Sequence, residues 1–95
     1  MNSFFILELT YKKDISEVEQ YLDAHNLYLE KYYAKGNFIC SGRKNPRTGG
    51  IIICSFESLE KVNKIIKEDP FLQKEIADYS ITEFVPTKTN KDFSF

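Results

Sequence analysis

Residues 37–56 read NFICSGRKNPRTGGIIICSF, and this stretch decides the fold. Asn37 to Arg43 is rich in strand formers, and Ile51 to Phe56 is a near-continuous apolar run. Between them, Asn45-Pro46-Arg47-Thr48-Gly49-Gly50 is turn chemistry, so the spacing predicts a β-hairpin with a long tip. What flanks the hairpin gives it meaning. Upstream, Asp14 and Ser16 are competing N-caps with glutamates three residues later, Glu17 and Glu19. They predict a helix running to about Lys35, where Gly36 stops it. Residues 3–11 precede that helix and alternate Phe5, Leu7 and Leu9 with Phe4, Ile6 and Glu8, as a strand buried mostly on both faces does. Downstream, Ser58 caps a second helix with an apolar face of Leu59, Val62, Ile65 and Ile66, ended by Pro70. Residues 70–78 leave room for a short helical turn before a fourth strand, Tyr79 to Val85.

The order strand, helix, strand, strand, helix, strand is that of an α+β protein, a ferredoxin-like βαββαβ sandwich with an antiparallel sheet. Two helices cover one face of the sheet. The strands offer apolar side chains in both directions, so the other face needs a cover as well. A second copy is the economical one, and the expectation is a homodimer packed sheet to sheet.

Ninety-five residues make one domain, residues 1–86, followed by a polar tail, residues 87–95, in which Phe93 and Phe95 are available to dock on a partner. With 42% hydrophobic and 28% charged residues the composition is that of a globular protein. Thirteen basic residues against fourteen acidic ones lack the broad positive charge that draws proteins to nucleic acid, so no nucleic-acid partner is expected. Cys40 and Cys54 lie in predicted strands without metal-ligand spacing, and one histidine cannot complete a zinc site with them. Both are expected as reduced core residues. The apolar opening Phe4-Phe5-Ile6-Leu7 is interrupted by Glu8 and lacks a basic flank or cleavage site. The expectation is a cytoplasmic protein with no membrane association.

The single histidine, His25, falls on the apolar stripe Val18, Leu22, His25, Leu29, Tyr32. A group that titrates near neutral pH at the edge of a core is either a hydrogen-bonded packing residue or a proton carrier. Asp69 follows Leu59, Val62 and Ile66 at helical spacing, so its carboxylate is expected to face the layer that His25 faces. A carboxylate accepting the imidazole N–H fixes the tautomer and leaves the other nitrogen free to take or give a proton. Asp69 before Pro70 equally reads as a turn cap, and one residue can do both. Ser41, Gly42 and Arg43 close the second strand as candidate substrate-binding residues. The missing side chain at Gly42 lets a ligand approach the backbone, and Arg43 offers a fork to a carboxylate or enolate. The plainer alternative is a bulge glycine beside a solvated arginine. Gly49-Gly50 lacks a following helix and the Walker lysine, so it reads as a hairpin turn rather than a phosphate loop.

Five segments together resemble the YCII-related (YciI-like) family: Ala24-His25-Asn26-Leu27-Tyr28-Leu29, Ser41-Gly42, Pro46-Arg47-Thr48-Gly49-Gly50, Asp69-Pro70-Phe71, and the closing strand Tyr79 to Phe84. The resemblance spans nearly all residues from 3 to 85. It implies a dimeric α/β barrel and a histidine–aspartate active site that maps onto His25 and Asp69. One position departs, since many members carry an arginine three residues before the histidine and this chain has Leu22. That substitution weakens any implication of an anionic substrate. The expected function is a small-molecule enzyme using His25 and Asp69 for proton transfer without metal or cofactor. Isomerisation or elimination fits best, by analogy with muconolactone isomerase-like proteins of the same barrel. The alternatives are a non-catalytic metabolite-binding or accessory homodimer, and haem binding through the one histidine.

Overall fold

The computed structural model describes residues 3–92, so Phe93 and Phe95 lie outside the described residues. The elements are β1 (Ser3–Tyr11), α1 (Ile15–Gln20), α2 (Leu22–Ala34), β2 (Phe38–Arg43), β3 (Gly49–Phe56), α3 (Leu59–Ile65), α4 (Pro70–Gln73) and β4 (Ala77–Phe84). A 3₁₀ turn, Ile66–Glu68, joins α3 to α4. The four strands form one antiparallel sheet in the order β2-β3-β1-β4, which with the βαββαβ element order is ferredoxin-like topology. Among the described residues no helix is long and apolar enough to cross a membrane.

Register sorts the side chains. Phe5, Leu7 and Leu9 of β1 stand opposite Cys54, Ile52 and Gly50 of β3, and on the other side opposite Glu83, Ile81 and Tyr79 of β4. Most of these meet Val18, Tyr28, Tyr32, Val62, Ile65 and Phe71 from the helical layer, and the core lies between. Burial in this core pushes the Cys54 thiol up to about 12, so it stays protonated and packs as an apolar group.

Three expectations about the helices are refined. The helix expected from the Asp14 and Ser16 caps to Lys35 breaks at Tyr21, whose backbone (φ −109°, ψ 5°) is not helical. Its N–H reaches back three residues to Val18, and the α2 ladder starts afresh with His25 N–H donating to the Tyr21 carbonyl. On α2 the buried residues are His25, Tyr28 and Tyr32, while Leu22 and Leu29 are half-buried. Tyr28 tolerates burial because its hydroxyl donates to the Ile65 carbonyl. Leu59, expected on the apolar face of the second helix, is 43% exposed. The stops behave as expected: Gly36 takes φ +82°, and the N–H groups of Gly36 and Asn37 close on the Tyr33 and Tyr32 carbonyls.

The largest corrections come from β2 and β3. Phe38 pairs with Cys54, but Cys40 pairs with Ile53, so Ile39 is an extra residue, a β-bulge. Because side chains alternate, one inserted residue flips every later side chain to the opposite face. Ser41 and Arg43 therefore share the helix side with Ile52 and Gly50, while Cys40 and Gly42 share the outer face with Ile53 and Ile51. Cys40, expected in the core, is exposed. Gly49 and Gly50, expected in the turn, begin β3. A Cβ at Gly49 would lie 1.8 Å from the Leu9 carbonyl oxygen, so only glycine allows β1 this close.

Candidate active site

Asp69 is the structural hinge of the site. Its backbone is extended (φ −74°, ψ 122°) between the 3₁₀ turn and α4, whose first residue is Pro70. From there the carboxylate is wholly buried and accepts three hydrogen bonds. Oδ1 accepts from the Phe71 N–H at 2.9 Å and from His25 Nδ1 at 2.8 Å. Oδ2 accepts from the Tyr79 hydroxyl. The cap and the histidine contact expected from sequence are thus both present.

The donors fix the proton positions. Burial pushes the Tyr79 phenol far above its ordinary range, and the Asp69 charge adds to the shift, so Tyr79 stays protonated and donates. Phe71 donates from backbone. An acceptor carboxylate then requires the hydrogen on Nδ1 of His25, which leaves the Nε2 lone pair available. No described residue bonds to Nε2, and every fully buried side-chain nitrogen or oxygen among the described residues has a partner. Nε2 is therefore not fully buried.

The imidazole lines a cleft of about 470 Å³ between α2 and the sheet. Leu22, His25, Asn26 and Leu29 form its helical wall; Leu9, Gly50 and Ile52 form its floor. Phe71 stacks on His25 with ring centroids 4.0 Å apart and planes 4° from parallel, which holds the ring in place. Among the described residues, His25 is the only group within ion-pairing distance of Asp69 that can carry positive charge.

Ser41, Gly42 and Arg43 all line the same cleft. The Ser41 hydroxyl is 2.7 Å from that of Tyr33, tying β2 to α2. Gly42 contributes backbone only, because its side-chain position faces away, where a Cβ would meet nothing within 4 Å. The glycine that opens the cleft floor is Gly50, set between Leu9 and Arg43. At the mouth, Arg47 of the hairpin tip reaches Glu19 of α1 at 3.4 Å. Sequence reasoning missed Phe71, Tyr79, Gly50 and the Arg47–Glu19 contact. Of these, Tyr79 carried a signal, since it alternates with Ser80 on the strand that closes the sheet. Among the described residues no group of three or more His, Cys, Asp or Glu is placed to hold a metal ion.

A ferredoxin-like α+β domain with a buried histidine–aspartate pair at the edge of a cleft is the class these observations define. The YCII-related domain model matches residues 3–85, and the chain belongs to that family. Among solved structures it is similar to 5-chloro-2-hydroxyhydroquinone dehydrochlorinase (TftG) from Burkholderia phenoliruptrix AC1100 in complex with 2,5-dihydroxybenzoquinone. The TM-score is 0.74 at 20% identity, over 96% of this chain and 99% of that one, a likeness of fold. A search of the curated proteins finds no significant match.

Proposed function

We propose that the protein is a small-molecule enzyme of isomerase or lyase type in which His25 and Asp69 transfer a proton. The observation that carries the reading is the 2.8 Å Nδ1–Oδ1 hydrogen bond to a carboxylate with no solvent exposure, which leaves Nε2 as the only free basic atom of the pair. Nε2 removes a proton from an acidic carbon or hydroxyl of the substrate, and Asp69 stabilises the imidazolium that forms. The electron pair left behind moves onto a neighbouring carbonyl oxygen, while the Arg43 guanidinium on the sheet side of the cleft holds the substrate. Return of the proton at another atom completes an isomerisation, and loss of a leaving group completes an elimination. Ser41 and the Gly42 backbone shape the end of the cleft that holds the substrate. The similar structure, by its name a dehydrochlorinase with a quinone bound, makes elimination from small oxygenated rings a sensible starting class. Two free cysteines, one of them exposed, accord with a reducing cytoplasmic setting. The apolar outer sheet face accords with a homodimer.

The test is a panel of chlorinated hydroxyhydroquinones, followed by chloride release, and of enolisable keto acids, followed by deuterium uptake from solvent. The wild type turns over part of the panel, His25→Asn loses roughly 10²–10⁴ in rate, and Asp69→Asn loses a smaller factor. Imidazole ¹⁵N shifts should show one neutral tautomer in the wild type and a mixture in Asp69→Asn. Equal rates in wild type and His25→Asn would sink the base assignment. Binding without any turnover, with pH-independent affinity, would instead make the protein an accessory binder.

A further inference from the structure

We infer that the cleft selects small substrates carrying one negative charge, such as a carboxylate, and that Arg43 sets this preference. The inference rests on the proton-transfer reading for the substrate's orientation, but its charge argument is separate. The Arg43 guanidinium has no ion-pair or hydrogen-bond partner among the described residues, although it lines the cleft. Arg47, the other guanidinium of the lining, is already neutralised by Glu19. The hairpin end of the cleft therefore holds one uncompensated positive charge. On the helical wall the His25 imidazole stands between the cleft and the buried Asp69 carboxylate, which is bonded to Nδ1, to the Tyr79 hydroxyl and to the Phe71 N–H. A cleft with a cation on its sheet side and a base on its helical wall orients a monoanion with its charge at Arg43 and its acidic proton at Nε2.

Geometry supports the same placement. The bulge at Ile39 turns Arg43 to the helix side, and its neighbour across the ladder is Gly50, which has no side chain to cover the guanidinium. Beyond Gly50 comes Leu9, so the substrate body meets an apolar floor and walls of Leu22, Leu29 and Phe71. Planar, bidentate recognition of a carboxylate is what a free guanidinium does and a lysine does poorly.

The only histidine in the chain gives a direct readout, because its imidazole resonances report cleft occupancy without overlap. Benzoate and 2-hydroxybenzoate are titrated against their uncharged amides, following the His25 ring protons in the intact protein. The acids should shift the ring saturably and the amides should not. Arg43→Gln should weaken acid binding roughly 10- to 100-fold, the usual weight of a hydrogen-bonded charge. Arg43→Lys should keep a reduced acid-over-amide preference, which guards against a loss caused by misfolding. Amides binding as well as acids, unchanged affinity in Arg43→Gln, or no saturable shift by either acid would each overturn the inference. Deuterium exchange in wild type and His25→Asn reads the catalytic proposal separately. A cleft that selects acids yet exchanges nothing keeps the charge assignment and removes only the catalysis.

Discussion

At the scale of single residues, the weight of the site falls on Tyr79. Asp69 is fully buried, and each of its oxygens needs a donor; Oδ2 takes the Tyr79 hydroxyl. Burial, and then the Asp69 charge, push that phenol far above its ordinary range, so it donates as a neutral hydroxyl at neutral pH. Tyr79→Phe should therefore cost about 1–3 kcal/mol of stability, from a buried carboxylate oxygen left unpaired. Urea unfolding at neutral pH measures it, and an unchanged midpoint would mean that water replaces the hydroxyl. The His25–Asp69 contact was legible because His25 falls on a core-facing helical stripe and Asp-Pro marks a cap; the helical spacing expected for Asp69 does not hold, since it stands on extended backbone beyond the 3₁₀ turn and the cap aims its carboxylate. Tyr79 was not legible as a partner, since period-two alternation says which face a strand residue takes but not which helix terminus comes to rest above it.

At the scale of elements, β2 shows where sequence pattern stops being informative. Its strand propensity was plain, and so was the hairpin. A simple alternation outward from the buried Phe38 puts Cys40 and Gly42 inside, whereas the bulge at Ile39 puts Ser41 and Arg43 there. No residue type at position 39 announces the bulge; it is fixed by pairing with β3, whose own alternation is intact. The connection after α3 is held differently, by Glu68. Its carboxylate accepts from Lys31 Nζ at 2.5 Å and from the Tyr32 hydroxyl at 2.6 Å, joining α2 to the 3₁₀ turn that leads to Asp69. The Lys31 hydrogen bond, then that of Tyr32, holds the Glu68 carboxyl below its ordinary range. A carboxyl depressed in the folded state contributes stability above its unfolded value, near pH 4.3, and loses it as pH falls through the folded value. Both side chains are nearly half exposed, which limits the contribution to about 0.2–1 kcal/mol. Glu68→Gln should be less stable than wild type by that amount at pH 7, and the gap should close at an acid pH below the folded value of the carboxyl. Urea midpoints at both pH values decide it; a gap that persists in acid would assign the loss to packing.

At the scale of the whole molecule, the sheet has one face under helices and one without. The outer face carries Ile6, Ile51 and Ile53, half-buried, and Phe84, 38% exposed with its ring 5.8 Å from that of Phe4. Ile6 stands directly opposite Ile53, so these groups form a continuous apolar strip across β4, β1 and β3. Farther along β1, Glu8 paired with Lys44 at 2.7 Å bounds the strip with charge. An apolar centre with a charged border is how an interface between copies is built, and a two-fold axis would bring each strip onto its mate. The wild type should therefore sediment at twice the chain mass of 11.1 kDa, and Ile53→Glu, which sets like charges against each other across the axis, at the single mass with its far-UV circular dichroism retained. A wild type that is monomeric at micromolar concentration would end the dimer reading, and a dimeric Ile53→Glu would move the interface elsewhere. The cleft lies between α2 and the sheet and touches this strip at Ile51 but not at Ile53, so the Ile53→Glu monomer should still bind benzoate with wild-type affinity. Weakened binding in that monomer would mean that the second copy contributes to the cleft, through residues that reach around the sheet edge.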